Sequence, residues 1–549
     1  MNARRRFAVA VLLVLLACLT GAASAQDLAL TGTVTSADEG AMEGVLVSAQ
    51  RAGSPITVTV VSDALGRYRF PADRLAAGAY TLAIRAAGFV LGGAATAEVA
   101  AGRTATADLK LRKAPDLAAQ LTSTEWLNSM PGSAAPKLPL IECMSCHTLE
   151  RVLRSKFTAN ELMGVLRRMQ GYANNSTTQH PQLRVAAREL SEKRARELSD
   201  YLATVNLSGG RETWNFPLET LPRPHGRATH VIITEYALPR PTIAPHDVRP
   251  DAQGFVWYSN FVEPYIGRLD PKTGAHAEFR YDLPKPKFPQ GALALEPDHD
   301  GNWWLAMMFQ SGLMRFDPRT KTFRHFPIPP EQMTDATQQS LMMPGRSQID
   351  GKVWTNDVST HEILRLDLAT GAYERVNPFQ NMPKGRQHSP YGMAADAQNN
   401  LYFMDFGDES IGHVDAKTLR TTLYATPTPH SRPRRGMMDD KGRLWFAEFA
   451  ANKVGMFDPA REDFTEWAAP TPHTYPYDVY FDRQGELWSG SMSSDRVLRL
   501  DPATGQSIEY LLPHPTNIRR IFIDDTGTPA TLWAGNNHHA SIVKLEPLD

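Results

Sequence analysis

Five consecutive residues, Cys143–His147 in the order Cys-Met-Ser-Cys-His, offer the most specific chemistry in the sequence. Their C-x-x-C-H spacing is that of a c-type haem attachment site, in which two thiols add across the haem vinyl groups and the histidine becomes an axial ligand of the iron. Two alternatives are a zinc half-site and a thioredoxin-like dithiol. The only other cysteine is Cys18, and no βαβ pattern surrounds the motif. The motif therefore predicts one covalent haem c held by Cys143, Cys146 and His147.

A second axial ligand is expected downstream of the motif, where cytochromes commonly use methionine. Met169 lies at the end of a predicted helix, just before Gly171, where the chain can turn toward the haem. Met163 lies at the centre of the same helix among apolar residues, as a core side chain would. His180 is the remaining alternative. We therefore predict Met169 as the second ligand, and a thioether there would raise the reduction potential.

The first 25 residues have the pattern of an export signal. Arg4–Arg6 precede an apolar run, Phe7–Leu19, and Ala23–Ala25 supply a small-residue cleavage site. Because haem c is attached outside the cytoplasm, the leader and the motif together predict a periplasmic protein. The apolar run is too short for a membrane-spanning helix, and no later segment reaches the required ~18 apolar residues. The alternative is a lipoprotein box ending at Cys18, which would anchor the chain through that residue.

The near balance of charge limits the expected partners. The 549 residues include 58 basic and 59 acidic side chains without a basic block, so nucleic acid is not an expected partner. A periplasmic redox protein or a small-molecule substrate is the expected partner. The length suffices for three or more domains, and dispersed glycine and proline indicate many short strands joined by turns.

Helical patterns flank the cysteine motif between about residues 115 and 208. Thr158 and Glu161 form a capping box at the start of one predicted helix, and residues 190–205 carry apolar side chains at helical spacing. This combination resembles a small α-helical cytochrome c domain. The resemblance implies that residues 115–208 fold around the haem.

Residues 28–112 alternate apolar and polar side chains between turn signals, as short strands do. The segments Gly66–Phe70, Gly78–Leu82 and Ala87–Phe89 resemble the carboxypeptidase regulatory-like domain. That resemblance implies a small β-sandwich without chemistry of its own, serving as a spacer or a docking module.

The largest part of the chain, residues 229–549, is a sevenfold repeat. In each repeat an aromatic residue is followed thirteen positions later by Asp or Glu, and successive aromatics lie 43 to 50 residues apart. A period of this length is typical of a β-propeller with four short strands per blade, so we predict seven blades. Ile232–Tyr236 has the sequence of an outer strand and is expected to complete the last blade and close the ring. The pairs are Trp257/Asp270, Trp304/Asp317, Trp354/Asp367, Tyr402/Asp415, Trp445/Asp458, Trp488/Asp501 and Trp533/Glu546.

The repeats resemble the virginiamycin B lyase (streptogramin lyase) family of seven-bladed propellers, most closely over Leu444–Glu448 and Asn452–Gly455. The resemblance implies a glutamate that helps hold Mg²⁺, matched by Glu448, and a histidine base fourteen residues upstream. That position is Arg434, whose guanidinium stays protonated and does not act as an ordinary base. Lyase chemistry is therefore the alternative rather than the first expectation.

Three carboxylates are expected near one end of the propeller channel. Asp357, Asp405 and Glu448 each follow a repeat aromatic by three residues, on consecutive blades. Carboxylates brought close together repel each other unless they bind a cation, so this set predicts a Mg²⁺ or Ca²⁺ site. The alternative is an ordinary solvated channel mouth.

The expected fold class is multidomain and mainly β, with a small β-sandwich, an α-helical cytochrome c domain and a seven-bladed β-propeller. For function, the haem favours electron transfer, either in an oxidoreductase or in a redox partner of one, with the propeller recognising the substrate or partner. The alternatives are a virginiamycin B lyase-like C–O lyase and a non-enzymatic binding scaffold. The sequence has no flavin or nicotinamide fingerprint, and it assigns no catalytic residue.

Overall fold

A computed structural model describes residues 27–185, 190–334, 338–383 and 386–549. The predicted signal peptide, residues 1–25, and the alternative lipid anchor Cys18 lie outside the described residues. Within the described ranges, no helix is both long enough and apolar enough to cross a membrane. Most of the regular structure is β-strand.

A β-sandwich of ten short strands occupies the amino-terminal part of the described chain. The strands β1 to β10 span Leu28–Ser36, Gly40–Ala41, Leu46–Arg51, Ile56–Val61, Arg67–Pro71, Gly78–Arg85, Phe89–Leu91, Ala95–Val99, Ala105–Thr106 and Leu109–Lys113. One sheet has the order β2-β1-β10-β7, with β5 and β9 also paired to β1, and the other contains β4-β3-β6-β8. Alternation sets the faces: in β5, Tyr68 and Phe70 are fully buried while Arg67 and Arg69 are exposed.

Six four-stranded antiparallel sheets follow, and they form the first six propeller blades. In each sheet the first strand is innermost and the fourth is outermost. The strands β12 to β35 span, four to a blade, Pro245–Pro250, Val256–Asn260, Tyr265–Leu269, His276–Arg280; Leu295–Pro297, Trp303–Ala306, Gly312–Asp317, Thr322–Pro327; Met342–Met343, Lys352–Asp357, Glu362–Asp367, Tyr373–Val376; Pro390–Ala395, Leu401–Asp405, Ser410–Val414, Thr421–Ala425; Pro433–Met438, Leu444–Glu448, Lys453–Asp458, Asp463–Ala468; and Pro476–Phe481, Leu487–Ser491, Arg496–Leu500, Ser507–Leu511.

The seventh blade is closed by a strand from before the first blade, as predicted. Its strands β36, β37 and β38 span Ile521–Asp524, Thr531–Asn536 and Ser541–Pro547, and β11 spans Val231–Ala237. β11 pairs antiparallel with β38, with Ile233 opposite Leu545. The other edge of β11 pairs with β4, so blade seven and one sandwich sheet form a continuous eight-stranded sheet. The sandwich is therefore joined to the propeller rather than being a separate spacer.

The repeat signature has a structural cause. An aspartate six residues before four of the repeat tryptophans accepts the indole N–H, at 2.7 Å in the pair Asp251–Trp257 and 2.9 Å in the pair Asp439–Trp445. In six of the seven blades, the aspartate thirteen positions after the aromatic accepts the backbone N–H of the residue two positions later, as Asp270 does. The spacing thus fixes the turn after the third strand in six blades and the turn before the repeat tryptophan in four.

The separate α-helical cytochrome c domain expected for residues 115–208 is not formed, and that prediction is wrong. The described part of the segment has five short helices, none longer than 14 residues, although the capping box of Thr158 and Glu161 is present. Its apolar side chains share one cluster with Tyr391 and Tyr477 of the propeller. These side chains therefore belong to a core shared with the propeller rather than to an independent one. The helices span Ser123–Ser129, Leu140–Met144, Glu150–Leu153, Ala159–Gln170 and Glu192–Val205, and 3₁₀ turns span Leu117–Gln120, Gly226–Thr229 and Pro330–Gln332.

Candidate functional site at the mouth of the propeller channel

The cysteine motif is seated on the propeller, at the start of an innermost strand. The motif begins in the short helix Leu140–Met144. Asn517 Nδ2 donates a hydrogen bond to the Met144 carbonyl at 2.9 Å, and Arg519 Nη2 donates to the Ser145 carbonyl at 2.7 Å. Both donors come just before β36, the innermost strand of blade seven. Two hydrogen bonds therefore fix the motif over the channel mouth.

The two motif cysteines are free thiols. Burial raises the pKa of the Cys143 thiol to about 12; burial also raises the pKa of Cys146, although Arg519 acts in the opposite direction. Both thiols therefore stay protonated at neutral pH. In the described part of the chain, one group of three or more His, Cys, Asp or Glu side chains could share a metal ion, and the motif is not in it. The motif does not converge as a tetrahedral zinc site requires.

His147 is oriented by the residue that follows it. Its Nδ1–H donates to the Thr148 carbonyl at 2.9 Å, which leaves the lone pair on Nε2. A hydrogen bond that engages one ring nitrogen and frees the other is usual for a metal-ligating histidine. Burial lowers the pKa of His147, so the ring is neutral near pH 7. His147 is therefore prepared to ligate a metal through Nε2.

A second histidine lies beside the motif. His538 is on the turn between β37 and β38, next to the Met144 carbonyl and near both Arg519 and His147. Burial, with a smaller contribution from the Arg519 charge, lowers the pKa of His538 to about 3. Neither ring nitrogen has a hydrogen-bond partner.

Equivalent positions at the beginning of the innermost strands supply the side chains of the channel mouth. Because the blades surround one axis, side chains of distant blades meet there. Arg435 of blade five lies 3.2 Å from Asp247 of blade one, and the hydroxyls of Tyr391 and Tyr477, from blades four and six, hydrogen-bond. The equivalent pairs are His246/Asp247, Arg434/Arg435, Tyr477/Asp478 and Arg519/Arg520.

The buried charges of the mouth leave a surplus of donors. Asp247 accepts from His246 Nδ1 and from Arg520, both at 2.7 Å. Burial opposes its ionisation, but the Arg435 and Arg520 guanidinium groups hold the pKa of Asp247 far below its usual value. Burial raises the pKa of Asp478 to about 6 despite Arg520. Nε and Nη2 of Arg435 have no partner, so the mouth has unused donors for an anion. Nε2 of His246 has no partner either, but burial keeps this ring neutral and Nδ1 carries its proton, so Nε2 can only accept a hydrogen bond.

Arg434, at the position of the lyase base, is enclosed by aromatic rings. Its guanidinium carbon lies 3.9 Å from the ring centre of Tyr477, 4.4 Å from those of Phe406 and Phe449, and 5.4 Å from that of Tyr391. Such contacts stabilise a cation. The side chain therefore acts as a fixed positive charge and does not accept a proton.

The three carboxylates predicted at the channel are each engaged separately. Asp357 accepts from the backbone N–H and the hydroxyl of Ser359 in its own turn. Asp405 accepts from His388 Nδ1 at 2.6 Å, and burial raises the pKa of Asp405. Glu448 has no hydrogen-bond partner at either oxygen, and burial raises its pKa to about 8. The three do not meet within the distance that a shared cation requires, and the Mg²⁺ or Ca²⁺ site stays a prediction.

The candidate second haem ligands lie in the helical segment. Met169 is partly buried, one residue before the end of the helix Ala159–Gln170, and Met163 is buried at its centre. His180 is partly buried in the loop that follows. Ligation by Met169 stays a prediction.

Sequence reasoning missed Asn517, Arg519 and His538, which the structure brings to the motif, and Arg520, which it brings to Asp247 in the channel mouth. Arg519 and Arg520 have the same place before β36 that Arg434 and Arg435 have at the start of blade five, so aligning the repeats would have found them. Nothing in the sequence points to His538, because its position beside the motif depends on where the turn between β37 and β38 lies in the folded protein.

Comparison with known proteins identifies the two β parts of the chain. Residues 380–547 match the virginiamycin B lyase family, and residues 29–112 match the carboxypeptidase regulatory-like domain. No curated protein matches the sequence. The propeller is thus virginiamycin B lyase-like, and the sandwich is carboxypeptidase regulatory-like.

A solved lyase structure supports the propeller fold, and two further structures are similar to the same share of the chain. A streptogramin B lyase structure is 21% identical with a TM-score of 0.50, covering 58% of this chain and 99% of its own. Selenomethionine-substituted virginiamycin B lyase from Staphylococcus aureus is 20% identical with a TM-score of 0.49, covering 57% and 99%. YCF48 from Cyanidioschyzon merolae is 12% identical with a TM-score of 0.46, covering 57% and 99%. At 21% identity, the similarity to the streptogramin B lyase structure shows the fold alone.

Proposed function

We propose that this protein is a periplasmic electron-transfer protein with haem c attached to Cys143 and Cys146 over the mouth of its propeller. The observation that carries the proposal is the seat of the motif, in which propeller side chains hold the carbonyls of Met144 and Ser145. A haem bound there supplies one-electron redox chemistry. A two-electron oxidation would need a second cofactor or a partner protein as well.

The residues of the motif fit covalent haem attachment. Each thiol would add across a vinyl group, so that a C–S and a C–H bond replace the thiol S–H bond and the π bond of the vinyl, and no leaving group is needed. Cys143 and Cys146 are unpaired thiols, and His147 has a free Nε2. The chemistry of the donor set thus supports haem c, although the fold around it is not that of a cytochrome c domain.

The propeller contributes a charged surface below the motif. The unpartnered Nε and Nη2 of Arg435 are donors suited to carboxylate groups. Those carboxylates belong either to the haem itself or to an anionic small molecule. The partner classes we propose are accordingly a small anionic substrate or a periplasmic redox protein.

Covalent attachment is tested by producing the full chain, with its leader, in cells that mature c-type cytochromes. We expect a pyridine haemochrome spectrum corresponding to one haem per chain, retained after acid–acetone extraction because the bond is covalent. The double variant Cys143→Ser/Cys146→Ser should lose it, whereas Ser145→Ala, between the two cysteines, should keep it. An extractable pigment, or none, would refute the proposal.

Electron transfer is separated from a scaffold role by redox cycling. Periplasmic dehydrogenases with their substrates should reduce the haem-loaded protein, and a periplasmic cytochrome should reoxidise it. A haem that neither accepts nor donates electrons would favour the non-enzymatic scaffold instead.

A second candidate function is the C–O lyase, which the family match over residues 380–547 favours together with the unpaired carboxyl of Glu448. The aromatic enclosure of Arg434 opposes it, because this reaction needs a proton acceptor. We expect no opening of a streptogramin-type lactone with Mg²⁺. Mg²⁺-dependent turnover that Glu448→Gln abolishes and Glu462→Gln, an exposed change on the same blade, does not would establish the lyase.

A further inference from the structure

The two ring nitrogens of His538 are buried in a way that the fold does not explain, although the residue as a whole is only partly buried. It lies on the turn between β37 and β38, where blade seven meets the channel mouth. Both ring nitrogens are shielded from solvent, and neither has a hydrogen-bond partner. A buried polar group without a partner destabilises the folded state, so its presence points to a ligand that completes it.

His538 lies beside the haem-attachment motif. It lies next to the Met144 carbonyl, and His147 is near enough to interact with it electrostatically. Nδ1 of His147 is occupied by the Thr148 carbonyl, so Nε2 is the nitrogen left for iron. One imidazole from the motif and one from the propeller are therefore neighbours where the haem is proposed.

Comparison of the blades singles out His538. The equivalent position, five residues after the repeat aromatic, holds no histidine in the other six blades. The residues there are Val262, Phe309, Ser359, Gly407, Ala450 and Ser493. The adjacent His539 is exposed and stacks on His514, with 4.0 Å between ring centres. Of the two neighbouring histidines, His538 is thus the one beside the motif.

We infer that His538 is the second axial ligand of the haem iron, opposite His147, so that the metal joins the helical segment to blade seven. This inference rests on the proposed haem attachment. Ligation by Met169 would instead leave His538 buried and unpaired. Because methionine raises a haem potential, a bis-histidine iron has the lower potential of the two arrangements.

The test uses the full-length haem-loaded protein in its oxidised state, measured by electron paramagnetic resonance and near-infrared absorption. We expect a low-spin bis-imidazole spectrum without a methionine-to-iron charge-transfer band. His538→Ala should convert most of the iron to the high-spin form. Met169→Ala and the matched control His539→Ala should keep the wild-type spectrum.

Ligand rescue separates ligation from a folding defect. Added imidazole should return His538→Ala to the low-spin form, because the free base occupies the vacated position. His538→Met should instead introduce the methionine charge-transfer band. If His538→Ala does not yield folded protein, the His538→Met variant decides, and a spectrum without that band overturns the inference.

The measured spectra distinguish an error in the His538 assignment from the absence of haem attachment. A haem-loaded His538→Ala protein with the wild-type spectrum, or a charge-transfer band that only Met169→Ala removes, overturns the His538 assignment and leaves haem attachment standing. Wild-type protein without covalent haem overturns the proposed function and this inference together.

Discussion

At the scale of single residues, Arg434 shows how the propeller holds a positive charge in place. Four aromatic rings surround its guanidinium. The faces of these rings attract the cation and keep it in one position, and a guanidinium does not release its proton near neutral pH. The channel mouth therefore contains a fixed positive charge at Arg434.

Removing that cation should weaken the fold. Arg434→Ala loses the ring contacts, and we expect the free energy of unfolding to fall by about 1–3 kcal/mol in urea denaturation. Arg461→Ala, on the same blade with its side chain 80% exposed, should change it by less than about 0.5 kcal/mol. If Arg434→Ala and Arg461→Ala lower the free energy of unfolding by the same amount, the aromatic rings around Arg434 do not stabilise the fold through its charge.

Glu448 should make stability depend on pH. Because burial raises its pKa to about 8, the folded state binds this proton more tightly than the unfolded chain, whose glutamates titrate near their usual value of 4.5. The protonated carboxyl of Glu448 therefore adds its full contribution to the free energy of unfolding below about pH 4.5, and this contribution is lost as the pH rises through 8.

The variant Glu448→Gln isolates this effect. Its melting temperature relative to wild type should rise between about pH 4.5 and 8, because the amide does not titrate. The exposed control Glu462→Gln should follow the wild-type profile. Melting curves for Glu448→Gln and wild type that stay parallel over this range would show that the carboxyl is not protonated in the fold.

At the scale of elements, β11 connects two domains that the sequence presents as separate. Alternate side chains of this strand face different cores: Ile232 packs in the sandwich, and Ile233 packs in blade seven. Ion pairs reinforce the junction, including Arg85 with Asp495 at 2.5 Å. Sandwich and propeller should consequently unfold as one cooperative unit.

Ile232→Ala tests the shared strand. The side chain is 1% exposed, so its truncation should cost about 2–4 kcal/mol and lower a single calorimetric transition. Ile349→Ala, at a side chain 52% exposed, should change the transition little. Separate transitions, with only the sandwich destabilised, would show that the two domains are independent.

The elements also show what the sequence can predict. The propeller repeat is local, because each blade brings its own tryptophan, turn aspartate and strand spacing, and the closing strand β11 was predicted from these patterns. The capping box of the helix Ala159–Gln170 is predictable for the same reason, because Thr158 and Glu161 are only three positions apart. The prediction of a separate helical domain fails because the burial of that segment depends on propeller side chains far away in the sequence, such as Tyr391 and Tyr477.

At the scale of the whole molecule, the three parts meet around one site. The sandwich extends blade seven, blade seven supplies Asn517 and Arg519 to hold the motif, and the helical segment covers the channel mouth. The motif itself was recognisable from five letters of sequence. Its surroundings were not, because the contact between Asn517 and the Met144 carbonyl joins residues 373 positions apart.

The most direct test of this account is the intact mass of the exported, denatured protein from cells that mature c-type cytochromes. We predict one haem added to the wild-type chain, and peptide mapping should place it on the peptide containing Cys143 and Cys146. Cys143→Ser/Cys146→Ser should have the mass of the unmodified chain. Wild-type protein at that unmodified mass, in cells that load a control cytochrome c fully, would contradict the account.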